Sequence, residues 1–460
     1  MREIVLRHLS LFASFILAAG ILGCGGDDGG PSEADQVIAE LADSIGQIQP
    51  VQLDTASIAG DVRAGRTVGL PFVKVDNQLV EQNVSLTLRN LRDASLTVAD
   101  VKDGVTDSFE TLLLPPPATY QGFVEPGRGP AVFTINDRVV EGNMLIAPEG
   151  WSLIEPLEPL LRQRNFTEGQ RQAALAKYNH VVYNALNAIR TGSEPVDDNP
   201  GGGNSGSPQE SALVFPVVAD GDAALYAAYP RASVMPFWLK QEALFNVVDW
   251  LFNCVEPGSN PGNAYTRCDN GFDGGHDGFQ ASISIERLEV WKAGGPSSPS
   301  REALLHDSIL ATHQASPPCC GPPHTAGRAP LVNFFSGKTL AGGSGEAAGV
   351  GGLDVYDEET CQATGTSQLC HHSITQVVVG GEFPGTTFYQ QLLLAHEIGH
   401  VAGAAEQPNF LSVCWLFEQQ CGPNLMGSYA FGGNSKYLFT DSDAMFVIGP
   451  LLSERLPEAP

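Results

Sequence analysis

HEIGHVAGAAE, residues 396–406, holds two histidines and two glutamates in one short run. It closes the longer stretch TTFYQQLLLAHEIGHVAG, residues 386–403, in which Leu394, Ile398 and Val401 recur at the spacing of one helical face. On a helix, His396 and His400 stand one turn apart on the same side, so both imidazoles can reach a single ion. Glu397 then falls beside that ion without binding it. A carboxylate in this position can take a proton from water that a zinc ion activates as the water attacks a carbonyl.

Gly403 follows the second histidine by three residues, where a helix that stops and turns sharply needs a residue tolerant of positive φ. The turn directs Glu406 back toward the metal. Downstream, CGPNLMGS (421–428) contains Met426. With these residues in place the sequence resembles the metzincin clan of zinc endopeptidases, whose pattern is HExxHxxGxxH or D followed by a Met-turn. The resemblance implies that His396, His400 and Glu406 bind Zn2+, that Glu397 is the general base, and that Gly403 and Met426 shape the turn and the apolar floor of the site. Glu406 stands where the family has His or Asp. It is a competent oxygen ligand, one methylene longer than Asp, and its added negative charge makes the metal a weaker Lewis acid. His324, His371 and His372 are alternative ligands, though surface or supporting roles are commoner for such residues.

Before this helix, strand-like and helix-like periods alternate. ALVFPVVADGD, FQASISIERLEVW, PLVNFFSG and SITQVVVGG read as strands; PFWLKQEALFNVVDWLFN and SREALLHDSILATH read as helices. This order predicts a mixed α/β sheet in residues 209–405, with a smaller irregular half in 406–460. Val217–Asp220, Leu288–Trp291, Phe334–Lys338 and Ser373–Gln376 resemble strand segments of the reprolysin-like (adamalysin-type) catalytic domain. GGSGEAAGVGG, 342–352, falls where that family has an edge strand on which an extended substrate pairs.

Residues 50–160 carry short alternating runs bounded by Gly, Pro, Asn or Asp and predict a small antiparallel β domain. Tyr120, Gly122, Val124, Gly142 and Ile154–Leu157 resemble the soft motifs of reprolysin-type propeptides. From Thr167, read as the N-cap, to Arg190 the apolar spacing predicts one amphipathic helix that closes this domain. TGSEPVDDNPGGGNSGSP, 191–208, reads as a flexible linker.

With 25 basic and 52 acidic residues, a net charge of −27, the chain disfavours nucleic acid and anionic membrane surfaces as partners. Arg2 and Arg7 precede the apolar run Leu9–Leu22, an export signal too short to span a bilayer as a permanent helix. ILGC, ending at Cys24, resembles a bacterial lipobox, which implies lipidation of Cys24. Setting Cys24 aside leaves eight of the nine cysteines. Export makes disulfides the expected state, and short loops favour Cys254 with Cys268, Cys361 with Cys370 and Cys414 with Cys421 among about 105 connectivities. Cys319 and Cys320 remain, and a structural zinc site is the competing reading.

The expected fold is α+β or mixed α/β: an antiparallel propeptide-like domain, then a metzincin-like catalytic domain with a mixed sheet and a long zinc-binding helix. The expected division is a signal peptide at 1–23, a tether at 24–49, the propeptide-like domain at 50–190, the linker, and the catalytic domain at 209–460. The expected function is an exported, lipid-anchored zinc endopeptidase precursor acting on protein or peptide substrates, touching the membrane only through its lipid. A cut in GGGNSGSP would release its catalytic domain. The alternative is a catalytically inactive surface lipoprotein that binds peptide or protein partners.

Overall fold

A computed structural model of the chain describes residues 31–103, 108–125, 129–146, 149–187, 212–252, 280–301, 303–305, 307–308, 331–340, 345–348, 372–377 and 387–401. Helix α1 (Glu33–Ile45) starts at Ser32, whose Oγ accepts the Asp35 N–H at 3.3 Å, and buries Val37, Ile38, Leu41 and Ile45 on one face. After β1 (Gln49–Val51) and α2 (Thr55–Arg63) come β2 (Val68–Val73), β3 (Leu79–Leu88), β4 (Arg92–Asp103), β5 (Ser108–Thr111), β6 (Thr119–Val124), β7 (Gly129–Asn136), β8 (Val139–Ile146) and β9 (Gly150–Pro156). Helices α3 (Leu157–Arg162) and α4 (Glu168–Lys177) lead into β10 (His180–Asn184). The second half contains β11 (Ala212–Gly221), α5 (Ala223–Ala228), α6 (Phe237–Phe252), β12 (Gln280–Trp291), β13 (Leu331–Ser336), β14 (Gly345–Ala348), β15 (His372–Gln376) and α7 (Thr387–Val401).

Eight strands form a sheet in the order β1-β10-β9-β8-β7-β6-β3-β2, with every neighbouring pair antiparallel. The sheet curls until its two ends nearly meet. Side chains, not a strand ladder, close the seam. Ser152 Oγ on β9 accepts the Val73 N–H at 3.1 Å, Asn184 Nδ2 on β10 donates to the Val73 carbonyl at 3.2 Å, and Gln49 Nε2 on β1 donates to the Asn77 carbonyl at 3.3 Å. Strand alternation then sorts the residues: Phe72, Val84, Phe133, Met144 and Val182 fill the interior, joined by Ala59 and Val62 of α2.

The outward-facing residues of the same strands are also largely buried. Val132, Trp151, Leu153, Val181 and Tyr183 join the largest apolar cluster, which includes most of α6. On the far side of α6 lies the second sheet, in the order β14-β15-β13-β11-β12-β4-β5, parallel through its centre and antiparallel at both ends. Helix α6 is therefore a middle layer. Trp250 meets Trp151 of β9 edge to face at 5.8 Å, and Phe245 meets Phe335 of β13 in the same manner at 5.8 Å.

These findings correct the expected fold class. The described chain is mostly antiparallel β with few helices, dominated by the nearly closed eight-stranded sheet. It is not a small β domain beside a metzincin-like α+β domain built around a long helix. The physical reason lies in non-local pairing: β10 takes the place of the second half of the expected helix 167–190, because His180–Asn184 finds partners in both β1 and β9. β4 and β5 leave the first sheet altogether and extend the second. No helix among the described residues is long and apolar enough to cross a membrane.

Candidate functional site

Helix α7 carries His396, Glu397 and His400. Leu393, Leu394, Ala395 and Ile398 are buried, and so are His396 and Glu397, at 4% and 3% exposure. Such placement holds two polar side chains in a low-dielectric setting, where an ion or a proton interacts more strongly than in water. His400 lies one turn beyond His396; its side chain is outside the described residues. Gly403, Glu406 and Met426 are also outside them, as are Cys24 and the paired candidates Cys254, Cys268, Cys361, Cys370, Cys414 and Cys421. Among the described residues, no group of three or more His, Cys, Asp or Glu side chains comes together to hold a metal ion.

Three neighbours position α7. It packs against α6 and against the β14–β15 pair of the second sheet. A hydrogen bond from Asn143 Nδ2 on β8 to Gln391 Oε1, at 2.9 Å, fixes it to the barrel-like sheet; both residues are buried. Two residues away along β8, Glu141 accepts from Lys240 Nζ of α6 at 2.9 Å, and each side chain is only 1% exposed. Burial alone would lower the Lys240 pKa. The attraction of Glu141, with Tyr229 and Glu155 adding to it, outweighs burial and raises it, so Lys240 stays charged. Lys240 also lies 5.5 Å from the centre of the Tyr229 ring, and burial pushes the Tyr229 hydroxyl pKa upward. Gln163 Nε2 donates to that hydroxyl at 3.0 Å.

Sequence reasoning missed this polar layer. A signal for it existed: Lys240, Gln241, Glu242, Asn246 and Asp249 punctuate a helix whose other residues are apolar, and Glu141 and Asn143 interrupt a strand buried on both faces. A charge in such surroundings needs a partner. Which partner it finds depends on how the distant strands fold.

β14 is the terminal strand of the second sheet and pairs with β15 alone among the described strands. Its backbone therefore lies at an edge beside α7.

No protein-family model matches the chain. No curated protein matches it either. Among solved structures, one described as "Structure of a chaperone-substrate complex" is similar at a TM-score of 0.28 and 10% identity, covering 54% of this chain. This chain spans only 34% of that one's length, and a likeness so shallow carries no argument about fold or function.

Proposed function

We propose that the chain is an exported, lipid-anchored, zinc-dependent endopeptidase that cleaves extended peptides. The observation that carries this reading is the placement of His396 and Glu397, consecutive and buried, on a helix that also bears His400 one turn on. Two imidazoles and carboxylate oxygen form a donor set that suits zinc. The third ligand in this reading is Glu406.

When bound, zinc supplies Lewis-acid polarisation of the scissile carbonyl and a more acidic water. Glu397 accepts a proton from the attacking water at a carboxylate oxygen and returns it to the leaving nitrogen. Asn143 and Gln391 hold the helix against the barrel-like sheet so that this carboxylate keeps its place. The β14 edge beside α7 offers main-chain donors and acceptors to an extended substrate, a mode that binds peptides with little regard to side chains. The anchor rests on the Leu9–Cys24 sequence.

One experiment tests the reading: membrane and soluble fractions of cells expressing the chain are assayed for zinc content and casein hydrolysis, beside Glu397→Ala. Zinc-loaded, membrane-bound protein should hydrolyse casein, and the variant should keep its zinc while losing on the order of 10²-fold or more in rate. A zinc-free chain, or a variant as active as the parent, would refute it. Zinc without hydrolysis in the parent would point to the peptide-binding alternative.

A further inference from the structure

The two halves of the chain, before and after residues 191–208, share one sheet and one core. β4 lies parallel against β12, with Val98 opposite Leu288 and Val101 opposite Trp291, and brings β5 with it as an antiparallel partner. Val98 and Val101 are buried at 1% and 0% exposure. Lys292, just past β12, pairs with Asp100 of β4 at 2.7 Å and with Glu110 of β5 at 3.1 Å.

Helix α6 is tied to the N-terminal half just as closely. Arg89 grips Asp249 with two hydrogen bonds of 2.7 and 2.8 Å, and Arg92 grips Glu242 at 2.5 and 3.1 Å. Asp249 and Glu242 are buried, and the bond to Asp249 is the main cause raising the Arg89 pKa. Gln121 Nε2 donates to Asp249 at 2.8 Å, while Asn246 Nδ2 reaches the carbonyls of Tyr120 and Phe133 at 3.2 and 3.1 Å.

A surface built to part must tolerate water when it does. Parting here would break the buried ion pairs that Asp249, Glu242 and Lys240 make with Arg89, Arg92 and Glu141, and breaking such a buried pair is strongly destabilising. It would also bare a row of unpaired backbone groups along β12, a template for aggregation. Interfaces that open in function are more often modest and polar at the rim.

We propose that the N-terminal half is a permanent partner of the C-terminal half. It supplies the β4–β5 pair as the outer strands of the second sheet, so a chain cut within 191–208 remains a single particle. This stands independently of whether the α7 site binds zinc.

In the full-length chain, a recognition sequence for a site-specific protease is inserted between Ser207 and Pro208 and cut to completion. The products are examined by native size-exclusion chromatography and by urea titration. Both fragments should elute together at the volume of the uncut chain and separate only within the urea range where circular dichroism reports unfolding. Fragments that elute apart in buffer, or that part well below the unfolding transition, would overturn the proposal.

Discussion

His180 sits in β10, buried to 1% exposure, with Nε2 accepting the Val140 N–H of β8 at 3.1 Å. That acceptor role places the ring proton on Nδ1, 2.8 Å from Asn179 Oδ1. Burial lowers its pKa from an ordinary 6.5 to about 3. The sign of the linkage follows: below pH 6.5 the unfolded chain takes up a proton that the folded chain refuses. The stability this residue contributes is full above pH 6.5 and drains away as pH falls toward 3. Between pH 6.5 and 5 the loss is about 2 kcal/mol. His180→Gln, which keeps an acceptor but cannot titrate, should show a flatter dependence of Tm on pH over that interval. Equal slopes in parent and variant would mean that His180 is protonated in the folded state.

At the scale of elements, two glycines of the barrel-like sheet matter because neighbouring backbone presses on them. A Cβ on Gly142 of β8 would collide with the Val132 carbonyl oxygen and the Phe133 ring of β7, and one on Gly122 of β6 with the Ser85 carbonyl of β3. Gly142→Ala should therefore destabilise the chain by roughly 1–3 kcal/mol, seen as a lower urea midpoint. A neutral result would show that the strands can ease apart there. The strands around these glycines were legible in the sequence, since alternation and turn residues mark β6 to β9 locally. The start of α4 was legible too: Thr167 caps it, and Gln170 completes a capping box. Its end was not. The apolar spacing from Leu175 to Ile189 fits a helix, yet His180–Asn184 is claimed by β1 and β9, whose edges no local window reveals. Likewise the HExxH pattern pointed to His396 and Glu397, whereas the partners of Asn143 and Lys240 became visible only when β8, α6 and α7 were brought together.

Across the whole molecule, an acidic chain is held by cations placed where they count. Arg89, Arg92, Lys240 and Lys292 each meet a carboxylate from the other half of the chain. The largest core likewise runs from Val37 of α1 to Ile398 of α7 without a break at residues 191–208. The seam of the barrel-like sheet is a different kind of join. β8 is laddered on both sides, by β7 and β9, whereas β2 is laddered by β3 alone and held across the seam by Ser152 and Asn184. Two latches give way at lower cost than a ladder does, so β2 should breathe while the rest of the wall stands. In native-state hydrogen–deuterium exchange, the β2 amides that point away from β3 should trade their protons through small openings, and those of β8 only through global unfolding. Ser152→Ala should quicken exchange in β2 while leaving β8 unchanged; equal acceleration in both strands would mean that the wall opens only as a whole. The barrel-like sheet thus has a slit that a few side-chain hydrogen bonds hold shut.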